Sequence, residues 1–430
     1  MRIFLACLVT AAAALAATAE VANACSCAPP EPRSLLAEAD GAFVGRLEER
    51  RELGNGRALF TFRVERSVKG RLGTTVDVET SAGGASCGIE TTVGSRIGLF
   101  LERRDARWTS SLCWQVDADE LLAAARPLPP PTGRGPVTLL VGSRFGPVRT
   151  IALDALGRTL AYGRGKGTVT QISVCPGGRR MVEAVELPAG PAIAIRTLPG
   201  LRIVRQRRVS PAQGTFLSAL RCETPDGSRL LVFHSSGDWP PGARLERLTG
   251  GRDVLIWQGT AIGATLTSRT AYVTAGRRGT RLVAVDVATR RARTLGRILP
   301  PFGPLVADPS GTRLAGVVST EGSRRWLATV RLAPFRVVTT RLADTGDVAW
   351  VDSRRLVFFS EGGQIARVYT GDLQPVSSFT WTAYRSVATG STAYGVAFDG
   401  LHRAALPRGP ERVLGKLSSR SVSVLVPLQQ

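Results

Sequence analysis

Histidine is almost missing from these 430 residues: His234 and His402 are the only two. Lysine is nearly as scarce, occurring at Lys69, Lys166 and Lys416, so almost every positive charge is an arginine. The lack of imidazole argues against a metal centre, and the cysteine spacings match no zinc module. No glycine-rich phosphate loop occurs, so no recognisable nucleotide site is present. Beyond the first two dozen residues, no apolar run is long enough to span a bilayer. These absences predict a non-enzymatic chain with no cofactor, and a mature form without a transmembrane segment.

What is present begins at the N-terminus. Arg2 is followed by Ile3 to Ala17, which is apolar apart from Thr10, and then by the small residues of Ala22-Asn23-Ala24. This pattern predicts a signal peptide over 1–24, cleavage after Ala24 and a secreted mature chain starting at Cys25. Ala22 stands where a lipobox wants leucine, which argues against a lipoprotein. Cys7 leaves with the signal, and Cys25, Cys27, Cys87, Cys113, Cys175 and Cys222 remain. An even number in an oxidising compartment predicts disulfides, and counting alone leaves all pairings open.

Charge divides the mature chain. Residues 25–126 carry 14 basic and 15 acidic side chains; residues 127–430 carry 41 and 18, a net of +23. The asymmetry predicts two domains with different surfaces. The second is suited to an anionic envelope polymer or another protein; nucleic acid is not an expected partner for an exported chain. Arg126-Pro127-Leu128-Pro129-Pro130-Pro131-Thr132-Gly133 reads as a stiff spacer. The predicted division is therefore 25–126, a Pro-rich linker at 127–135, and 136–430.

Within 25–126, alternating segments at 42–47, 59–64, 74–80 and 96–101 predict strands. Short helices are predicted at 34–39 and 117–125, the latter capped by Asp117 with Glu120 three residues on. About five strands in a hundred residues suit a small barrel. After the linker a turn-then-strand unit recurs, at Leu156–Ala161, Asp226–Leu231, Ser310–Ala315 and Asp352–Val357, with weaker copies at Ser268–Val273 and Gly390–Gly395. Taking Leu160, Leu230, Ala271, Leu314, Leu356 and Ala393 as equivalent gives intervals of 70, 41, 43, 42 and 37. Spacings near 40 are the size of a four-stranded propeller blade. About six blades are predicted, the long interval holding an insertion, with seven the alternative. The closing strand is predicted from 137–141 or from 421–426.

Candidate chemistry in this half is thin. Asp226, Asp308 and Asp352 sit in the repeat turns and read as turn formers rather than metal ligands. His234 beside Ser235-Ser236-Gly237-Asp238 is the one fragment of a hydrolytic constellation. Trp239, Trp257, Trp326, Trp350 and Trp381 read as blade packing.

The mature start Cys25-Ser26-Cys27-Ala28-Pro29-Pro30, with Ala39–Gly45, Val68-Lys69-Gly70, Cys87-Gly88 and Cys113, resembles the tissue inhibitors of metalloproteinases and related netrin-type domains. Asp308-Pro309-Ser310-Gly311-Thr312-Arg313-Leu314 resembles the repeats of WD40-like and TolB-like propellers. The first resemblance implies an OB-like five-stranded barrel in which Cys25 pairs with Cys87 and Cys27 with Cys113. It also implies a partner: the α-amine and carbonyl oxygen of Cys25 would chelate the catalytic zinc of a metalloprotease, with Ser26 directed at its specificity pocket. The family's third disulfide and second domain have no counterpart here. Cys175 and Cys222 are then left to pair across neighbouring propeller strands. The expected fold is mostly β, a barrel followed by a propeller, and the expected role is that of an exported binding protein. The rival readings are a propeller hydrolase acting on an envelope ligand and a purely structural envelope component.

Overall fold

A computed structural model describes residues 32–428 except 144–147, 188, 210–214, 237–241, 277–279, 299–304, 320–323, 362–363, 398–399, 408 and 416–421. The predicted signal peptide and Cys25, Ser26 and Cys27 lie outside the described residues. The chain divides into two compact units between Leu128 and Pro129. Both are built almost entirely of strands, and among the described residues no helix is long and apolar enough to cross a membrane.

The first unit opens with helix α1 (Pro32–Glu38). Strands β1 (Gly41–Gly54), β2 (Arg57–Lys69), β3 (Thr75–Ser81), β4 (Arg96–Arg104) and β5 (Arg107–Thr109) follow. The short β6 (Gln115–Val116) and helix α2 (Ala118–Ala125) complete it. The sheet runs β1-β2-β3-β5-β4 and returns to β1, with β3 and β5 parallel and the other pairs antiparallel. This is a closed five-stranded barrel of OB-like order. Phe43, Leu47, Phe60, Phe62, Val78, Leu99 and Leu101 fill it, as the alternation predicts. The β1–β2 hairpin is longer than its alternating segments because Glu48–Glu52 is exposed and carries no apolar signal. Asn55 and Gly56 turn it, both at positive φ (51° and 69°), the conformation a tight hairpin requires. Asp117 caps α2, its carboxylate accepting from the Asp119 and Glu120 N–H groups. Arg33 donates to the carbonyls of Ala123 and Arg126 at the other end of α2.

The second unit is a seven-bladed propeller of four-stranded antiparallel meanders. The inner strands A of blades 2 to 7 are Thr168–Val174, Thr215–Cys222, residues 261–266, Val306–Ala307, Gly346–Trp350 and Arg385–Thr389. Strands B are Arg180–Leu187, Leu230–Ser236, Thr270–Ala275, Arg313–Ser319, Arg355–Ser360 and Thr392–Val396. Blade 1 takes its strands B, C and D from Leu139–Ser143, Val148–Leu153 and Thr159–Arg164, and its inner strand from Val422–Pro427. That late strand lies beside the inner strands of blades 2 and 7, which closes the ring.

Seven blades replace the expected six, and the reason is local. The equivalent B-strand positions are Leu140, Met181, Leu230, Ala271, Leu314, Leu356 and Ala393, all buried and each at the strand's first or second residue. They are 41, 49, 41, 43, 42 and 37 residues apart. The Leu156–Ala161 copy is the turn between strands C and D of blade 1, so the 70-residue interval contained a whole blade rather than an insertion. Blades 3 and 4 share one long strand, Val254–Leu266. Its first half pairs with strand C of blade 3, and its second half begins blade 4.

Candidate functional site

Three places concentrate polar chemistry. The first is one end of the barrel. Cys87 closes a 3₁₀ turn at φ 65°, and Cys113 lies in a second such turn, Leu112–Trp114. The Leu112 N–H donates to the Cys87 carbonyl at 2.9 Å, so the two cysteine-bearing turns are joined. Both cysteines are disulfide-bonded. Gly88 is required beside them, because a Cβ there would stand 2.1 Å from the Ser81 carbonyl oxygen.

The second is the seam between blades 1 and 2. Glu183 of strand B in blade 2 lies between Arg149 of blade 1 and Arg196 of blade 2, at 2.9 and 2.8 Å. All three are at most 1% exposed. The Thr150 hydroxyl donates to the second Glu183 oxygen, and Arg196 also donates to the carbonyls of Leu201 and Arg164. Burial, opposed by Glu183 and reinforced by Arg196, holds the Arg149 pKa below its ordinary value. Two guanidiniums share one carboxylate, so the cluster keeps an excess positive charge inside the protein. Next to this seam, Cys175 is bonded to Cys222, joining the inner strands of blades 2 and 3 as expected.

The third is a pocket of about 730 Å³ on the face made by the A–B turns. Turns from blades 5, 6, 7 and 1 line it: Pro309 and Ser310, Asp352 and Ser353, Thr389 to Thr392, and Thr138 with Leu428. Tyr394 and Arg403 complete the wall from strands B and C of blade 7, where they are direct cross-strand partners. A second groove of about 740 Å³, beside blades 4 and 5, carries Arg291, Arg293 and Tyr272.

The repeat aspartates act as turn formers. Asp308 accepts from the Thr312 and Arg313 N–H groups, and Asp352 from those of Arg354 and Arg355. Asp226 accepts from the Ser228 N–H and hydroxyl, which help hold its pKa at about 2. Among the described residues no cluster of His, Cys, Asp or Glu could hold a metal. His234 and Ser235 are adjacent on a strand and so face opposite ways. His234 is 3% exposed with neither ring nitrogen hydrogen-bonded, and Gly237 and Asp238 lie outside the described residues. Burial, assisted by Arg244, lowers its pKa to about 4; the Glu246 carboxylate, at 3.7 Å, does not offset this. Trp350 and Trp381 are buried and donate to the Val306 carbonyl and the Ser386 hydroxyl, so they pack blades as expected. Trp257 and Trp326 are partly buried against blade cores, and Trp239 lies outside the described residues. Along the described inner strands the charged residues are Arg221, Asp347 and Arg385. Asp347 accepts from the Ser386 N–H, and burial raises its pKa.

Fold and site together define a two-unit β protein, an OB-like barrel followed by a seven-bladed propeller. No protein-family model and no curated protein matches the sequence. Among solved structures, the chain is similar to a protein from Lactobacillus plantarum, at 12% identity and TM-score 0.50, over 69% of this chain and all of that one. It is also similar to the Swd1 β-propeller domain from Myceliophteria thermophila, at 12% identity and TM-score 0.46, over 64% and 99% of the two chains. TolB from Acinetobacter baumannii matches at 12% identity and TM-score 0.40, over 78% of each. The resemblance that the first unit bears to the metalloproteinase inhibitors has no counterpart in these comparisons.

Proposed function

We propose that this chain is an exported binding protein in which the barrel presents its N-terminal segment to a zinc metalloprotease and the propeller docks an anionic envelope polymer or another protein. The observation that carries the first half is the joining of the Cys87 and Cys113 turns by the Leu112 hydrogen bond. Cys25 and Cys27 are two residues apart, so neighbouring attachment points are what a doubly tethered start needs. The OB-like strand order supports the same reading, because it is the order that the inhibitor resemblance implies. With the segment tethered twice, the Cys25 amine and carbonyl would meet the target zinc at little ordering cost. An α-amino pKa of about 7.7–8.0 leaves a useful neutral fraction at physiological pH. Ser26 would then enter the specificity pocket.

The propeller half of the proposal rests on its net charge of +23, carried by guanidiniums. Nothing observed favours the hydrolase alternative: the one carboxylate on the described inner strands has no acid–base partner there.

Two measurements test the reading. N-terminal analysis and disulfide mapping of the secreted protein are expected to give Cys25 first, bonded to Cys87, with Cys27 bonded to Cys113. One alanine inserted before Cys25 is expected to abolish inhibition of a metalloprotease that the native protein inhibits; undiminished inhibition would exclude chelation.

A further inference from the structure

The A–B-turn pocket of the propeller has a chemical bias that the overall charge does not explain. Tyr394 is only 3% exposed, its ring packed in the apolar cluster that joins blades 7 and 1, yet it lines the pocket. Among the described residues its hydroxyl has no hydrogen-bond partner, and it is not one of the sealed unpaired atoms of the interior. The exposed part of this side chain is therefore the hydroxyl, at the pocket wall. Arg403 stands across from it on the neighbouring strand. Among the described residues its one hydrogen bond is a 3.5 Å reach to the Ala155 carbonyl, and no carboxylate there pairs with it. The nearby acid, Asp352, is committed: one oxygen takes two backbone N–H groups and the other takes the Arg355 guanidinium. Hydroxyls of Ser353 and Ser391 add further donors around the rim.

The wall thus offers one cation without a carboxylate partner among the described residues, one buried phenol with its hydroxyl at the wall and small hydroxyls, in a volume typical of small-ligand sites (~300–1,000 Å³). A matching ligand carries one negative charge and many acceptor oxygens. We propose that this pocket binds a sugar acid, a carboxylate-bearing saccharide unit, with the carboxylate on Arg403 and a ring or hydroxyl oxygen accepting from Tyr394. This deepens the polymer-docking reading of the propeller. It rests on that reading only for where such a unit would come from, free in solution or displayed on an envelope polymer.

The test is calorimetric titration of the full secreted chain with glucuronate, glucose and acetate. Glucuronate is expected to bind saturably, with glucose and acetate at least about tenfold weaker, since each supplies half of the recognition. Arg403→Gln is expected to weaken glucuronate about tenfold or more, and Tyr394→Phe about three- to tenfold. Tyr394→Phe keeps the packed ring, so it gives the answer if Arg403→Gln lowers the melting temperature. Arg293→Gln, in the groove beside blades 4 and 5, is expected to change nothing. Absence of saturable glucuronate binding, or equal binding by the native protein and both pocket variants, would overturn the proposal. Retention on an anionic polysaccharide column separates the two readings. Retention that both pocket variants keep, alongside lost glucuronate binding, supports the site and leaves polymer docking to overall charge. Glucuronate binding without column retention supports the site and removes the polymer reading.

Discussion

In the barrel, β1 meets β4 through six consecutive cross-strand partners, from Gly41 and Leu101 to Arg46 and Arg96. The ring is closed by backbone hydrogen bonds around a core of Phe, Leu and Val. Its ion pairs, such as Arg46–Glu65 and Arg96–Asp119, are on the surface and contribute little. In the propeller, closure depends on one late strand and on a seam where Arg149, Glu183 and Arg196 are sealed from water. The barrel is held by continuity of hydrogen bonds and covalent staples. The propeller is held by a fit between neighbouring blades, with charge buried at the seam of blades 1 and 2. Buried ion triads contribute little net stability over apolar packing, but breaking one is costly. The seam is therefore better suited to specifying which blades meet than to holding them tightly.

Four measurements would break or sharpen this contrast. The largest effect is expected from Cys87→Ala with Cys113→Ala, which removes the barrel's staples: about 2–5 kcal/mol for each lost disulfide. Hydrogen exchange resolved by peptide should show faster opening in residues 41–109 and none in the blades. Equal acceleration in both units would mean that they do not unfold separately. Next, Glu183→Ala is expected to cost about 3–5 kcal/mol in denaturant unfolding of the propeller, because two guanidiniums are left buried without a counter-charge. Replacing Arg149 and Arg196 by Met and Glu183 by Leu together should cost far less. If the triple replacement is as damaging as the single one, the triad holds the seam by attraction rather than by avoided mismatch.

The third measurement concerns acid. His234 takes up a proton near pH 4 when folded, against about 6.5 when unfolded. Between these values the unfolded chain binds more protons, so stability falls as the pH drops through that window, by up to about 3 kcal/mol. His234→Leu should remove this component of acid sensitivity from the propeller while the barrel's remains; an unchanged pH profile would show that another group controls it. The smallest effect is expected at Asp117→Ala. Loss of the α2 cap should cost about 1 kcal/mol, confined to the barrel and visible as local fraying of 117–126 by hydrogen exchange.

The two units also differ in how much of them could be read from sequence. The barrel strands announce themselves by alternation, because one face is core and the other is water, as at Phe60, Phe62, Val76 and Val78. The propeller was legible wherever an A–B turn carries Asp and Ser before a buried residue, as before Leu314 and Leu356. It was hidden in two places. Blade 2 turns through Cys175-Pro176-Gly177-Gly178, a different turn chemistry. Blade 1 has no A–B turn at all, since its A and B strands are separated by nearly the whole propeller. The candidate site was half visible. The weak copy Gly390–Gly395 contains Tyr394, but as a repeat position. Arg403 and the Arg149–Glu183–Arg196 triad had no local signal, because their meaning comes from strands brought together by the fold.

Strand Val422–Pro427 occupies the axis yet follows every other propeller strand in the sequence. Until it is made, blade 1 lacks its inner edge, and the neighbouring inner strands of blades 2 and 7 lack the strand that lies between them. A chain made in the N-to-C direction is thus an unsealed ring that locks only when this last strand is added, so its final segment decides whether the whole propeller closes.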